Sequence, residues 1–293
     1  SRDVQAEQHN AKLWGQKQFG KEKYLGPEEE RILTKKNLHR FDAISVRDDF
    51  SKTICENDFG VLATITLDPV FVCEKEKYEE LIDTVSLRLD EEFIFAYILD
   101  PNPEIGNSLQ TISEETGKKI VIIFNEGSDK KKTKEALNVS GDDFIFLLDA
   151  TVEEWLYCFK NAKFVITDSF HGCCFSIIFG KTFIVRKNMG RGGRRFDFLI
   201  GSLGLQDYMT TTPEGFLELF KKYGVDHKID YTSVYKIINE KKKDSYEWIK
   251  NALSKKSEKG IEIKEKIDNQ ERIILHPDIE RARLLVALIK EYG

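Results

Sequence analysis

Five short apolar runs, at 93–99, 119–124, 144–148, 164–167 and 182–186, decide what this chain can fold into. They are built mainly of Phe, Ile, Val and Leu, with Lys119, Thr167, Thr182 and Arg186 only at their ends, and do not alternate with polar residues. A strand with two apolar sides must be covered on both faces, and parallel strands are joined by crossovers that are usually helical. Helical patterns at 105–116, 152–161 and 170–179 fall between the runs. The pattern predicts an α/β fold: a Rossmann-like parallel sheet with helices on both faces, over about 75–255.

Ahead of it, Pro27 and the glutamates 28–30 open a helix to about residue 39, since proline suits a first helical turn and acids favour its positive end. Runs at 43–46 and 62–65 read as two more buried strands, with a helix at 48–58 between them. After the last strand helices dominate, at 195–203, 213–223 and 231–254. A charged linker at 255–266 leads to an amphipathic helix at 277–292, whereas residues 1–26 are polar and patternless.

Bulk properties narrow the function. Lys and Arg total 45 against 50 Asp and Glu, a formal charge of -5, which argues against a nucleic-acid partner. The five cysteines, at 55, 73, 158, 173 and 174, are scattered, odd in number and lack CxxC spacing, so neither a zinc site nor a disulfide framework is expected. Free thiols fit a cytoplasmic chain. No leader and no apolar run of about 18 residues is legible, so any association with the inner face of a membrane is expected to be peripheral.

The most informative stretch is Phe164-Val165-Ile166-Thr167-Asp168-Ser169-Phe170-His171-Gly172, a buried strand that turns directly into a helix. In open α/β sheets ligands bind beyond the carboxyl ends of the strands, where free amides at a helix start receive anions. His171 falls in the first turn, placed to give a proton to a phosphate or carboxylate, and Gly172 would keep the neighbouring surface open. The plainer reading is that Asp168 or Ser169 caps the helix while His171 faces solvent or core. Downstream, Gly190, Gly192 and Gly193 lie among Arg191, Arg194 and Arg195, a cationic loop suited to bidentate capture of phosphate or carboxylate, or to pairing with acids elsewhere. Arg47 closes an early strand and could also point into a cleft, or serve a surface pair as most single arginines do. The run of lysines 241–243 reads as a solvated helix face.

At these residues the chain resembles the polysaccharide pyruvyl transferase family. Four pieces match in order: Phe41-Asp42-Ala43-Ile44-Ser45-Val46-Arg47; Leu67-Asp68-Pro69-Val70-Phe71; Val165-Ile166-Thr167-Asp168-Ser169-Phe170-His171-Gly172; and Arg194-Arg195-Phe196-Asp197 with Leu203-Gly204-Leu205. The resemblance, over about 19–253, implies a two-lobed, glycosyltransferase-B-like architecture and transfer of pyruvate from phosphoenolpyruvate to two hydroxyls of a cell-surface sugar as a cyclic ketal. The acceptor would be a lipid- or nucleotide-linked sugar, the setting capsule or exopolysaccharide synthesis, and no cofactor or metal is called for. His171 would be the general acid/base with Asp168 beside it in the catalytic set. Arg47, Ser169, Phe170, Gly172, Arg191, Arg194 and Arg195 would bind substrate.

Two departures are visible. Some members carry Arg-Leu where this chain has Ser169-Phe170, a guanidinium that Arg191, Arg194 or Arg195 could replace. The glycine- and asparagine-containing first strand and the Gly-Ser-Asp segment of the family are missing, so residues 1–74 read as a partial N-terminal lobe, with acceptor binding most affected. Residues 256–293 form a separate tail whose stretch 279–293 faintly resembles the opening helix of thiamine-diphosphate enzymes. A nucleotide-sugar glycosyltransferase of the same architecture, or a non-catalytic module of polysaccharide assembly, are the competing readings.

Overall fold

The structure is a computed structural model that describes residues 28–89, 91–124 and 130–254. The linker and terminal helix expected beyond 254 lie outside the described residues, as does the patternless start. The chain divides into Ser1–Trp248 and Ile249–Gly293; of the second unit only the last turns of one helix are described.

The elements run α1 (Glu28–Leu38), β1 (Ser45–Val46), α2 (Asp49–Asn57), β2 (Thr64–Ile65), α3 (Pro69–Val72), α4 (Lys75–Ile82), β3 (Phe93–Ile98), α5 (Pro103–Thr116), β4 (Lys119–Phe124) and α6 (Lys130–Leu137). They continue with β5 (Phe144–Phe146), α7 (Val152–Asn161), β6 (Phe164–Thr167), α8 (Phe170–Ile178), β7 (Phe183–Arg186), α9 (Arg194–Ser202), β8 (Met209–Thr210), α10 (Gly215–Tyr223) and α11 (Thr232–Ser254). β1 and β2 form a small parallel pair, and the other six strands form one sheet in the order β5-β4-β3-β6-β7-β8, every pairing parallel.

The expected α/β fold is present because each strand is apolar on both sides. Phe93, Phe95, Val121, Val165, Phe183 and Val185 point to one face, beneath Leu156 and Phe159 of α7 and Cys173 and Phe175 of α8. Ile94, Ala96, Ile122, Phe164, Ile166 and Ile184 point to the other, beneath Ile105 and Leu109 of α5 and Phe216 and Phe220 of α10. Most of these are 0% exposed, and fully burying one such side chain contributes about 1.5–3 kcal/mol. All five cysteines are free, and all but Cys73 are buried.

Local chemistry sets the joints. Asn102 caps α5 by accepting from the Ile105 amide, Pro103 follows it, and Gly117 ends the helix at φ 62°. Thr151 and Glu154 form a reciprocal capping box at the start of α7. Four of these elements were not predicted from sequence: α3 is a single turn of four residues. α6 is mostly lysine, so it shows no apolar period; α4 is short and charged; and β8 is two residues long, registered only by Val185 against Met209 and Arg186 against Thr210.

In sequence the chain goes outward from β3 through β4 to β5, then returns to lay β6 on the opposite side of β3. The carboxyl ends of β3 and β6 therefore flank the topological switch point, where open sheets leave a crevice. The Thr167 to His171 turn lies on its rim.

Candidate functional site

The turn after β6 is built from side chains that satisfy its own backbone. Ser169 is the N-cap of α8, its hydroxyl accepting from the Gly172 amide at 3.2 Å. Thr167 accepts from the Ser169 amide at 3.0 Å and donates to the Tyr97 carbonyl at 2.6 Å, tying the turn to β3. Gly172 is buried, and a Cβ there would stand 2.3 Å from the Thr167 hydroxyl oxygen. Its role is close approach of α8 to the end of β6, not the open neighbouring surface that sequence alone suggested.

Asp168 points inward. It is 0% exposed and accepts from the Leu99 amide at 2.6 Å, the Asp100 amide at 3.1 Å and Arg186 at 2.9 Å, with Asn188 at 3.5 Å. Burial pushes its pKa above the ordinary carboxylate value, against the lowering pull of the Leu99 amide and Arg186. The carboxylate thus fills the switch-point crevice with the protein's own anion. Its place is that of a strut for the turn, with no surface left for a ligand.

His171 points outward, its side chain 46% exposed, and its Nε2 lies 3.6 Å from Oδ2 of Asp68. Asp68 is 5% exposed and caps α3, accepting from the Val70 amide. The same Oδ2 accepts a short hydrogen bond from Arg47, at the end of β1. Parallel pairing of Val46 with Ile65 explains this meeting: Arg47 and the Asp68 loop leave the small sheet side by side. Burial alone would raise the Asp68 pKa, but the His171 imidazole, the Arg47 guanidinium and the Val70 amide outweigh it and hold the carboxyl down at about 2.

That depression has a sign that can be tested. A carboxyl lowered from 3.8 to about 2 on folding stabilises the native state by about 2 kcal/mol above pH 4, a contribution lost as pH falls through 2. Asp68→Asn is therefore expected to lose about 2 kcal/mol in urea unfolding at pH 7, a deficit that shrinks markedly by about pH 3. An equal deficit at both pH values would mean that the charge is not its source.

The three arginines of the loop separate cleanly. Arg191 grips Asp100 with three contacts of 2.9–3.1 Å, and Arg194 lies over the Phe50 ring at 4.2 Å. Arg195 turns back to the site. Its guanidinium lies 4.7 Å from the centroid of the Phe170 ring, over which Arg47 also sits at 5.6 Å. It donates to the Arg191 carbonyl at 2.8 Å, but its Nε is buried with no hydrogen-bond partner, and it makes no ion pair among the described residues. Burial and the neighbouring Arg47 lower its pKa. Phe170, 3% exposed and edge-on to His171, is the apolar wedge that carries both guanidinium groups.

One guanidinium group and an imidazole thus share the Asp68 carboxylate, while a second guanidinium, Arg195, lies over the same Phe170 ring without an acid of its own among the described residues. A buried donor without a partner costs roughly 1–3 kcal/mol, and the Arg195 Nε is one such donor beside this cluster. Adjoining it is a cavity of about 220 Å³, walled by Arg47, Asp68 and Phe170 on one side and by α9 and α11 on the other. In the sequence Asp68 stands out only as part of the segment Leu67-Asp68-Pro69-Val70-Phe71, and its Asp-Pro pairing, a helix-start signal, is the clue there to a fixed carboxylate. Lys241 of α11 is half-buried and lines this cavity, because Ser245 accepts from the Leu67 amide at 2.9 Å and Lys242 pairs with Glu74 at 2.8 Å, docking the helix there.

The site, then, belongs to an open parallel α/β protein with a cationic, histidine-bearing cleft beyond its strand ends. The chain belongs to the polysaccharide pyruvyl transferase family, which it matches over residues 23–188, more than half its length. No curated protein matches its sequence. Among solved structures it is similar to the UDP-GlcNAc 2-epimerase of Methanocaldococcus jannaschii, at 13% identity and TM-score 0.44, covering 64% of this chain and 58% of that one. The UDP-GlcNAc 2-epimerase of Neisseria meningitidis shows 14% identity and TM-score 0.45 over 64% and 55% of the two chains. The wall teichoic acid polymerase TagF shows 15% and 0.40 over 77% and 64%. This chain spans less than two thirds of the length of each. No described helix is long and apolar enough to cross a membrane, and no described group of three or more His, Cys, Asp or Glu could hold a metal ion.

Proposed function

We propose that the chain supplies the donor side of a two-lobed transferase that moves pyruvate from phosphoenolpyruvate onto two hydroxyls of a polysaccharide sugar. The observation that carries this is the convergence of Arg47, Arg195 and His171 around Phe170 and Asp68, with the Arg195 Nε buried and unpaired. Phosphoenolpyruvate brings two anionic groups and an enol carbon that must be protonated, which is what two guanidinium groups and one imidazole can serve.

His171 gives a proton to the methylene carbon, creating a methyl group and an oxocarbenium-like centre at C2. One sugar hydroxyl attacks C2 and loses its proton to the imidazole. The C2–O bond to phosphate then breaks, the phosphate taking its electron pair into the field of Arg47 and Arg195. The second hydroxyl closes the ketal, and its proton leaves with inorganic phosphate. Asp68 fixes the orientation of the imidazole and of Arg47. Asp168, Ser169 and Gly172 set the turn, while Arg191 and Arg194 shape the loop that brings Arg195 inward. No cofactor enters, and the setting we assign is cell-surface polysaccharide synthesis at the cytoplasmic face of a membrane.

The test is phosphate release. Incubated with phosphoenolpyruvate and a panel of lipid- and nucleotide-linked sugars, the protein is expected to release inorganic phosphate only when both substrates are present. Turnover of a nucleotide sugar without phosphoenolpyruvate would instead identify a glycosyltransferase.

A further inference from the structure

One wall of the 220 Å³ cavity has no part in holding the donor. It is formed by Phe198 and Ser202 of α9 with Lys241 and Asp244 of α11. Lys241 and Asp244 are three apart and so share a helix face, and neither side chain makes a hydrogen bond or ion pair among the described residues. Lys241 is half-buried and Asp244 stands exposed at the chamber's edge, and the opposite charges do not close on each other. The Ser202 hydroxyl donates to the Leu199 carbonyl and keeps its lone pairs available. Between these polar groups, Ile65, Leu199 and the half-buried Phe198 supply apolar surface.

We infer that this wall is the acceptor subsite and that it takes a hexopyranose ring, an assignment that rests on the donor reading above. A sugar ring matches the chamber's mixed character, with C–H faces for Phe198 and Leu199 and an edge of hydroxyls for Lys241, Asp244 and Ser202. Asp244 accepts from a hydroxyl and Lys241 donates to one. The carboxylate is what separates this ligand from a second anion: a chamber built only for phosphate or carboxylate would not place Asp244 beside Lys241. Geometry agrees. Arg195, Phe198, Leu199 and Ser202 follow at spacings of three and four along one stripe of α9, so Ser202 lies about 10 Å beyond Arg195. That is roughly one sugar ring past the donor.

The experiment uses saturation-transfer NMR on the full chain with a panel of p-nitrophenyl hexopyranosides, alongside calorimetry with phosphoenolpyruvate. At least one hexoside is expected to bind, and Asp244→Ala and Lys241→Ala are each expected to weaken it by about tenfold while phosphoenolpyruvate affinity stays within about twofold. Failure of every hexoside to bind, or binding unchanged in both variants, overturns the inference. So does a chamber that behaves as part of the anion site, with phosphoenolpyruvate bound more tightly by Asp244→Ala and less tightly by Lys241→Ala. Loss of phosphoenolpyruvate binding in the unaltered protein would defeat the donor reading instead. Hexoside binding that remains sensitive to Asp244 would still locate a sugar site.

Discussion

Replacing His171 by alanine is expected to lower phosphoenolpyruvate-dependent phosphate release by about two to four powers of ten, with donor affinity changed only a few-fold. The asymmetry follows from what each group does. The imidazole, 46% exposed and held beside Asp68, is the one side chain in the proposed scheme that moves a proton to and from the reacting atoms. In that scheme the donor's charge is carried by Arg47 and Arg195, which lie over Phe170 and are expected to stay there when the imidazole is removed. Single-turnover rates and calorimetric affinities measured on the same variant separate the two effects. A variant that keeps the full rate would remove His171 from the chemistry. One that loses donor affinity as steeply as rate would make it a binding group.

The largest expected loss of stability lies three residues away in sequence, on the inner side of the turn. Asp168→Ala would leave the Leu99 and Asp100 amides without their acceptor and Arg186, 13% exposed and already carrying a buried Nε with no partner, without its counter-charge. Breaking a buried pair by removing one partner costs about 3–5 kcal/mol, since the remaining charge stays desolvated. Urea unfolding should show that loss, and Asp168→Asn, which keeps one acceptor oxygen, should recover part of it. An alanine variant as stable as the unaltered protein would mean that the crevice between β3 and β6 does not depend on this carboxylate.

The contrast between these neighbouring residues shows where sequence reading succeeds and where it stops. The strand at 164–167 and the turn into a helix were legible because three consecutive apolar residues, a β-branched Thr and a Ser N-cap have one cheap solution in an open sheet. That His171 faces out and Asp168 faces in was not legible. Both lie in the same five-residue turn, and the choice is made by Leu99, Asp100 and Arg186, which are 18 to 69 residues distant in sequence. The three loop arginines were equivalent on the page of the sequence. They were sorted by Asp100 and Phe50, whose positions depend on the sheet order and on the small β1–β2 pair.

Lys241 teaches the same lesson from the opposite direction. Three consecutive lysines on a long helix have the look of solvated surface, yet helical geometry sends successive residues to different sides. Lys242 pairs with Glu74 and Lys241 faces the cavity because Ser245, one turn on, is buried against the Leu67 amide. A serine at 2% exposure inside a charged helix was the signal, and only the fold could give it meaning.

The central claim is that Arg195 and Arg47 together hold a small phosphorylated acid against the His171 turn. Calorimetric titration of phosphoenolpyruvate into the unaltered protein and Arg195→Gln measures it most directly. Removing a charged donor to a bound anion costs about 1.5–3 kcal/mol, so the account predicts saturable binding weakened about ten- to a hundredfold by the substitution. No binding to the unaltered protein, or equal affinity in the two, would contradict it.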